Sequence, residues 1–338
     1  MRSRRPERAM FWLVGCAAIA AAGLSCSCSD SSEPDNPAAD GGESTGDAAS
    51  DAGDDPSDGG AVDPPVARLM YISTGNGQRL AVARLEVDGT ITRLEELDVT
   101  LGENTFAMAY ARSARRLYLG VGSDIATFTL DDSGAPSLAG TTPGTGRPVY
   151  LATTANDSLL VSAYFGDDLM RVHDVSGAAP HNEVDNLGVA DEPHAALVGP
   201  GGLIYVPHRN GGTTRWFNVA GNGDLSLVDE LPSDPGVGPR HIAFSPDGNY
   251  AYVINEFADT VTAHTVAGDG SLSAIQTITT LPKGANGDDN TCADVHVTPD
   301  GRFLYGSNRG DDSIAMFAIT DNGQLSPLGH VATEERPR

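Results

Sequence analysis

One stretch constrains this chain more than any other. GPRHIAFSPDGNYAYVINE, residues 238–256, reads as two short strands joined by a Ser-Pro-Asp-Gly turn, with Arg240 opening the first strand and Glu256 closing the second. The Asp-Gly pair supplies the positive backbone angle that a tight hairpin needs. A close copy ends in Ser307-Asn308-Arg309 and weaker copies precede it, so the chain repeats with a period of roughly 45 residues. First strands begin near Phe106, Val149, His194, Arg240 and Ala293, and the second strands are RRLYLGV, SLLVSAY, GLIYVPHR, NYAYVINE and RFLYGSNR. A third and a fourth strand follow each pair, the fourth after a polar turn such as AGNGD.

Apolar and polar residues alternate over short runs, Gly, Asp and Asn gather at the turns, and helix signals are nearly absent. Four-stranded sheets set radially, each covering the face of the next, bury such strands while limiting exposed edges. The predicted architecture is therefore an all-β propeller of four-stranded antiparallel blades, with about six repeats visible. The first repeat, LMYISTGNGQRLAVARLEVDGTITRLEEL, lacks a first strand, and the chain stops at Arg338 where another would begin. The expectation is a propeller over residues 66–338 that is C-terminally incomplete, with two sheet edges left open.

Ahead of the propeller the composition changes twice. Residues 1–25 read as an export signal, with Arg2, Arg4, Arg5 and Arg8 before an apolar run that ends at Leu24. Gly23-Leu24-Ser25-Cys26 resembles the cleavage box of bacterial lipoproteins, which implies a lipid anchor at Cys26. Leu13-Val14-Gly15-Cys16 is the alternative box, and an uncleaved anchor or a plain secretory signal are the other readings. Residues 26–65 form an acidic linker: from Ser27 to Pro65 there are eleven acidic residues and no basic ones. Such a segment buries too little apolar surface to offset its conformational entropy and is expected to be a disordered tether. The location implied is extracytoplasmic, in the periplasm or on the surface of a bacterium.

The net charge of -25 argues against a nucleic-acid partner, which needs clustered Lys and Arg to displace counterions. Of the four cysteines only Cys292 falls in the folded region, so no disulfide framework is expected and Cys292 reads as small apolar filler. There is no Gly-x-Ser-x-Gly elbow, His-Glu-x-x-His or Cys-x-x-Cys in the folded part, so serine-hydrolase and zinc readings lack support and neither metal nor cofactor is expected. Asp167-Asp168, Asp288-Asp289 and Asp311-Asp312 lack calcium-loop spacing and read as solvated loop tips.

GPRHIAFSPDGNYAYVINE, NTCADVHVTPDGRFLYGSNRGDDSIAMF and the trailing GHVATEERPR resemble the lactonase family of seven-bladed propellers, which includes 6-phosphogluconolactonase and the carboxy-muconate lactonizing enzyme. The resemblance is strong from Glu192 to Arg338 and weaker from Tyr71 to Gly188. It implies a seventh repeat and a closing strand that this sequence lacks. Radial strands bring first-strand starts and second-strand ends to the central channel, which gives a ring of Gly122, Tyr164, His194, Arg209, Arg240, Glu256 and Arg309. The family's site set, a histidine, two arginines and a glutamate, falls on His194, Arg240, Glu256 and Arg309. Family members often carry a second histidine where Glu192 stands, a histidine at Tyr150 and an aspartate at His208.

This set suits a small anionic lactone or sugar acid. Two guanidiniums grip an anion and stabilise the oxyanion formed when water attacks the ring ester. His194 is the general base, and Glu256, between arginines, orients them and holds charge. Taken singly, an Arg–Glu pair in a propeller channel also serves as an ion pair between blades, His296 reads as structural, and Asp294 is a further candidate or an arginine's partner. The functional expectation is a 6-phosphogluconolactonase-like hydrolase acting as a monomer. The alternatives are a muconate-type cycloisomerase on the same ring and a non-catalytic surface propeller that binds a ligand or protein.

Overall fold

The computed structural model describes residues 67–337 except Ala190 and Asn286; the export signal, Cys26 and the acidic linker lie outside the described residues. Among the described residues six sheets follow one another along the chain, each an antiparallel meander, with one off-path pairing in the first. Blade 1 is built from Arg68–Ser73 and Arg79–Leu85, with Ile91–Arg93 and Val99–Thr100 together making its outer edge. The missing first strand of that repeat, read from the sequence, is missing here too among the described residues. Among the described residues helix is confined to three short 3-10 turns.

Blades pack face to face, and the second strands show how. In Tyr250–Asn255, Tyr252 and Ile254 join Cys292, Leu304 and Phe317 of blade 6. Their neighbours Ala251 and Val253 join Tyr205 and Trp216 of blade 4. The period of two holds, but both faces are buried, so these strands are more apolar than a half-exposed strand would be. Burying each such large side chain contributes about 2 kcal/mol. Equivalent clusters join blades 3 and 4 through Met170, Ile204 and Phe217, and blades 1 and 2 through Leu80, Leu117 and Phe128.

Polar contacts also join neighbouring blades. Tyr71, Tyr205 and Tyr250 donate their hydroxyls to Gly134, Gly270 and Asp321 in a hairpin of the following blade. Two of the loop-tip aspartates are not simply solvated. Asp168 accepts the Glu192 N–H at 2.7 Å and Asp312 accepts the Arg336 N–H at 2.8 Å, each fixing the chain as it leaves its blade. A paired N–H at each exit satisfies a donor that the strand ladder cannot reach.

β-Bulges also repeat. The third and fourth strands of blades 2 to 6 slip register at matching points, Thr127/Phe128 and Ala263/His264 among them. First strands of blades 2, 5 and 6 slip as well, in the last two at Pro239/His241 and Cys292/Val295. A bulge raises local twist and re-aims side chains. In blade 4 the first strand shrinks to Leu197–Val198. His194 lies ahead of it, yet its N–H still bonds Pro207 at 3.0 Å, and Pro193 bridges His208.

Gly323 tests the blade-to-blade fit. Its φ is +77°, and a Cβ there would lie 2.1 Å from the Tyr250 ring. Gly323→Ala is expected to cost about 2 kcal/mol and to lower Tm by about 5 °C. Gly268→Ala, with open space around its Cβ position, leaves Tm unchanged in the same thermal melts.

Candidate active site

Three second-strand ends and one bulged first strand meet at the site. Glu256 follows Tyr250–Asn255, Arg209 follows Ile204–His208 and Arg309 follows Phe303–Asn308. Arg240 comes from the bulged strand Pro239–Phe244. The structure brings Arg240, Glu256 and Arg309 of the expected set into one cluster and adds Arg209. Glu256 Oε1 accepts from Arg309 at 2.6 Å and from Arg209 at 3.1 Å, while Oε2 pairs with Arg240 Nε at 3.0 Å. Glu256, Arg240 and Arg309 are buried.

Burial alone would raise the Glu256 carboxyl, but the Arg240, Arg309 and Arg209 guanidiniums outweigh it and hold the group below its ordinary range. The arginines are held in turn by backbone. Arg240 donates to the Ala293 carbonyl, and Arg309 donates to Thr291 and Cys292 carbonyls at 3.3 and 3.0 Å. The carbonyls used are those around the blade 6 bulge.

Glu192 explains how Arg209 is held. Its carboxylate accepts from Arg209 Nε and a terminal nitrogen at 3.0 and 2.7 Å. The Arg209 guanidinium also lies 4.4 Å over the Phe165 ring and 5.3 Å over Phe257. Three guanidiniums against the Glu192 and Glu256 carboxylates leave one net positive charge in the cluster.

His194 sits beside this cluster without bonding to it. Its ring lies 5.4 Å from Phe165, edge on, and its Nδ1 is 3.3 Å from His241 Nε2. Burial, then the charges of Arg240 and His241, hold its pKa well below 6.5, so it is neutral at pH 7. His241 was not among the expected site residues. Its Nδ1 is 2.6 Å from Asp294 Oδ1, and Asp294 Oδ2 is 3.0 Å from His296 Nε2. Asp294 thus pairs with two histidines rather than with an arginine, and its carboxyl lies well below the usual range: burial raises it, and the two rings more than offset this.

Gly122 and Tyr164 bring no charge to the site. Cys292 is buried, its thiol pushed up to about 12 by burial, which fits filler rather than a nucleophile. Among the described residues no group of three or more His, Cys, Asp or Glu is placed to hold a metal ion.

Removing the central carboxylate leaves buried cations uncompensated. Glu256→Gln is expected to destabilise the fold by about 3 kcal/mol at pH 7. Because the folded Glu256 pKa is depressed, its contribution is present above the ordinary glutamate value of 4.5 and is lost as pH falls through the lower folded value. The Tm gap between wild type and Glu256→Gln therefore narrows in acid, and a gap independent of pH contradicts the assignment.

The family model described as "Lactonase, 7-bladed beta-propeller" matches residues 70–338. The 6-phosphogluconolactonases of Pectobacterium carotovorum and Serratia proteamaculans are 29% and 30% identical over 282 residues, covering 80% of this chain and 83% of each relative. Among solved structures, the periplasmic gluconolactonase of Pseudomonas aeruginosa shares the fold, with a TM-score of 0.67 at 24% identity over 75% of this chain and 79% of that one. With the match spanning all six blades, the chain belongs to the lactonase family of seven-bladed β-propellers.

Proposed function

We propose that this chain is a lactonase that opens a small anionic sugar-acid lactone by hydrolysis. The observation that carries this reading is a buried guanidinium cluster with one excess positive charge beside a neutral histidine. The 6-phosphogluconolactonases at about 29% identity support the substrate class. Arg240 and Arg309 attract the anionic substrate and stand ready to stabilise negative charge on the carbonyl oxygen. Glu256 keeps both in place.

His194 takes a proton from water as the water oxygen attacks the ring carbonyl carbon. The carbonyl electron pair moves to its oxygen, giving a tetrahedral oxyanion beside the guanidiniums. Collapse re-forms the carbonyl and breaks the bond to the ring oxygen, which takes the proton back from His194. The product is the open-chain hydroxy acid, which ionises.

With His194 depressed, the acid limb of kcat/KM is expected below pH 6.5. His194→Ala lowers kcat by about 10²–10⁴, and Arg240→Lys lowers kcat/KM by about 10². The measurement is hydrolysis of a panel of phosphorylated, carboxylated and neutral sugar lactones. No turnover of any of them overturns the enzyme reading; full activity in Arg240→Ala and Glu256→Ala overturns the site.

We further infer that the enzyme is exported and tethered through a lipid on Cys26, with the acidic linker as spacer. Cys26→Ser is expected to shift the protein from the membrane pellet to the soluble fraction while Cys16→Ser leaves it there. The reverse result moves the anchor to Cys16.

A further inference from the structure

The lead-in to blade 4 and the first strands of blades 5 and 6 place three titratable side chains in line. His194 Nδ1 faces His241 Nε2 at 3.3 Å, and His241 Nδ1 faces Asp294 Oδ1 at 2.6 Å. The His241 and Asp294 side chains are 13% and 17% exposed, so water competes little for these contacts. Ring edges flank the line: Tyr150 lies 5.5 Å from His241 and Phe165 5.4 Å from His194. The guanidiniums of Arg240 and Arg209 face it from the neighbouring cluster, and His296 holds the far oxygen of Asp294 at 3.0 Å.

The hydrogen-bonding order along this line has one consistent solution for neutral rings. An ionised carboxylate only accepts, so His241 carries its proton on Nδ1. Neutral His241 then has a lone pair on Nε2 and accepts from His194. His194 in turn carries its proton on Nδ1, which leaves its lone pair on Nε2. The free side chain favours the other tautomer, with the proton on Nε2, so this arrangement needs the two partners.

We propose that His241 and Asp294 are positioning residues that hold His194 as its Nδ1–H tautomer and so make Nε2 the proton-accepting atom. This rests on the lactonase reading only for its catalytic consequence. When His194 takes a proton, its Nδ1–H still donates to His241, and the Asp294 carboxylate lies two hydrogen bonds away to stabilise the imidazolium. Arg240 and His241 are adjacent in sequence, and the bulge at Pro239/His241 lets one serve the carboxylate cluster and the other this line.

The test reads tautomers and turnover separately. Nitrogen-15 NMR of the full chain with labelled histidine, at mildly alkaline pH where both rings are neutral, is expected to show Nδ1–H on both His194 and His241. His241→Leu returns His194 to Nε2–H and lowers kcat by about 10²-fold, with KM within about threefold. His241→Gln, whose amide oxygen accepts and whose amide nitrogen donates, keeps His194 as Nδ1–H and restores kcat to within about tenfold of wild type. Nε2–H on His194 in the wild type overturns the proposal, and that readout stands even if the leucine variant does not fold. Nδ1–H on both rings in a protein that hydrolyses no lactone leaves the line in place and overturns the lactonase reading instead.

Discussion

The site depends on one buried carboxylate. Glu256 is almost fully desolvated, which for a lone charge would cost several kcal/mol, and it is tolerable only because guanidiniums from three consecutive blades converge on it. Removing any partner exposes the same cost from the other side. Apolar packing between blades has no directional preference and permits small slides of one sheet over the next. The ion cluster fixes the ends of the second strands in blades 4, 5 and 6, where a slide would separate charges in a low-dielectric setting. The packing of these blades and the site geometry are therefore coupled at Glu256.

The repeat, and with it the fold, was legible because Ser-Pro-Asp-Gly and Thr-Pro-Asp-Gly turns mark the first and second strands of blades 5 and 6, and the weaker copies align on them. The same marks located Glu256 and Arg309, since each immediately follows a regular second strand. His241 was not legible. In an unbroken strand neighbours point to opposite faces, so choosing Arg240 for the channel excluded the next residue. The register slips between Pro239 and His241, and the alternation with it. A similar slip between Cys292 and Val295 gives Asp294 to His241 and leaves its N–H to Ser307 Oγ at 2.9 Å. Nothing in the local sequence signals a bulge, because it depends on how two strands pair.

Glu192, Tyr150 and His208, around the cluster, each have a physical account. Glu192 adopts φ of +59°, a conformation that costs a non-glycine residue about 1 kcal/mol or more. Its N–H is caught by Asp168 and its carboxylate by Arg209, so the strain is offset at both ends of the residue. A histidine there would leave Arg209 with one counter-charge fewer. Tyr150 packs against His241, filling with an apolar edge the space beside the ring. His208 is buried beneath the blade 4 strand end and bridges to Pro193. These three residues thus supply charge and packing around the cluster of Arg240, Glu256 and Arg309.

Two groups of side chains are separated in space and joined at one point. Charge is held among arginines and glutamates at the second-strand ends, while the histidines and Asp294 run across the lead-in and first strands beside them. A histidine inside the arginine cluster would be forced neutral and denied any partner for its proton, since every nearby group would be a cation or a carboxylate already saturated by cations. Placing it one strand away keeps it neutral through burial and then the Arg240 charge, yet gives it an acceptor chain of its own. Blade 5 makes this possible, because its bulge sends Arg240 to the carboxylate and His241 to the chain from consecutive positions. Straightening that bulge would separate either Arg240 from the carboxylate or His241 from Asp294, so the irregular pairing, and not the regular repeat, brings the two groups together.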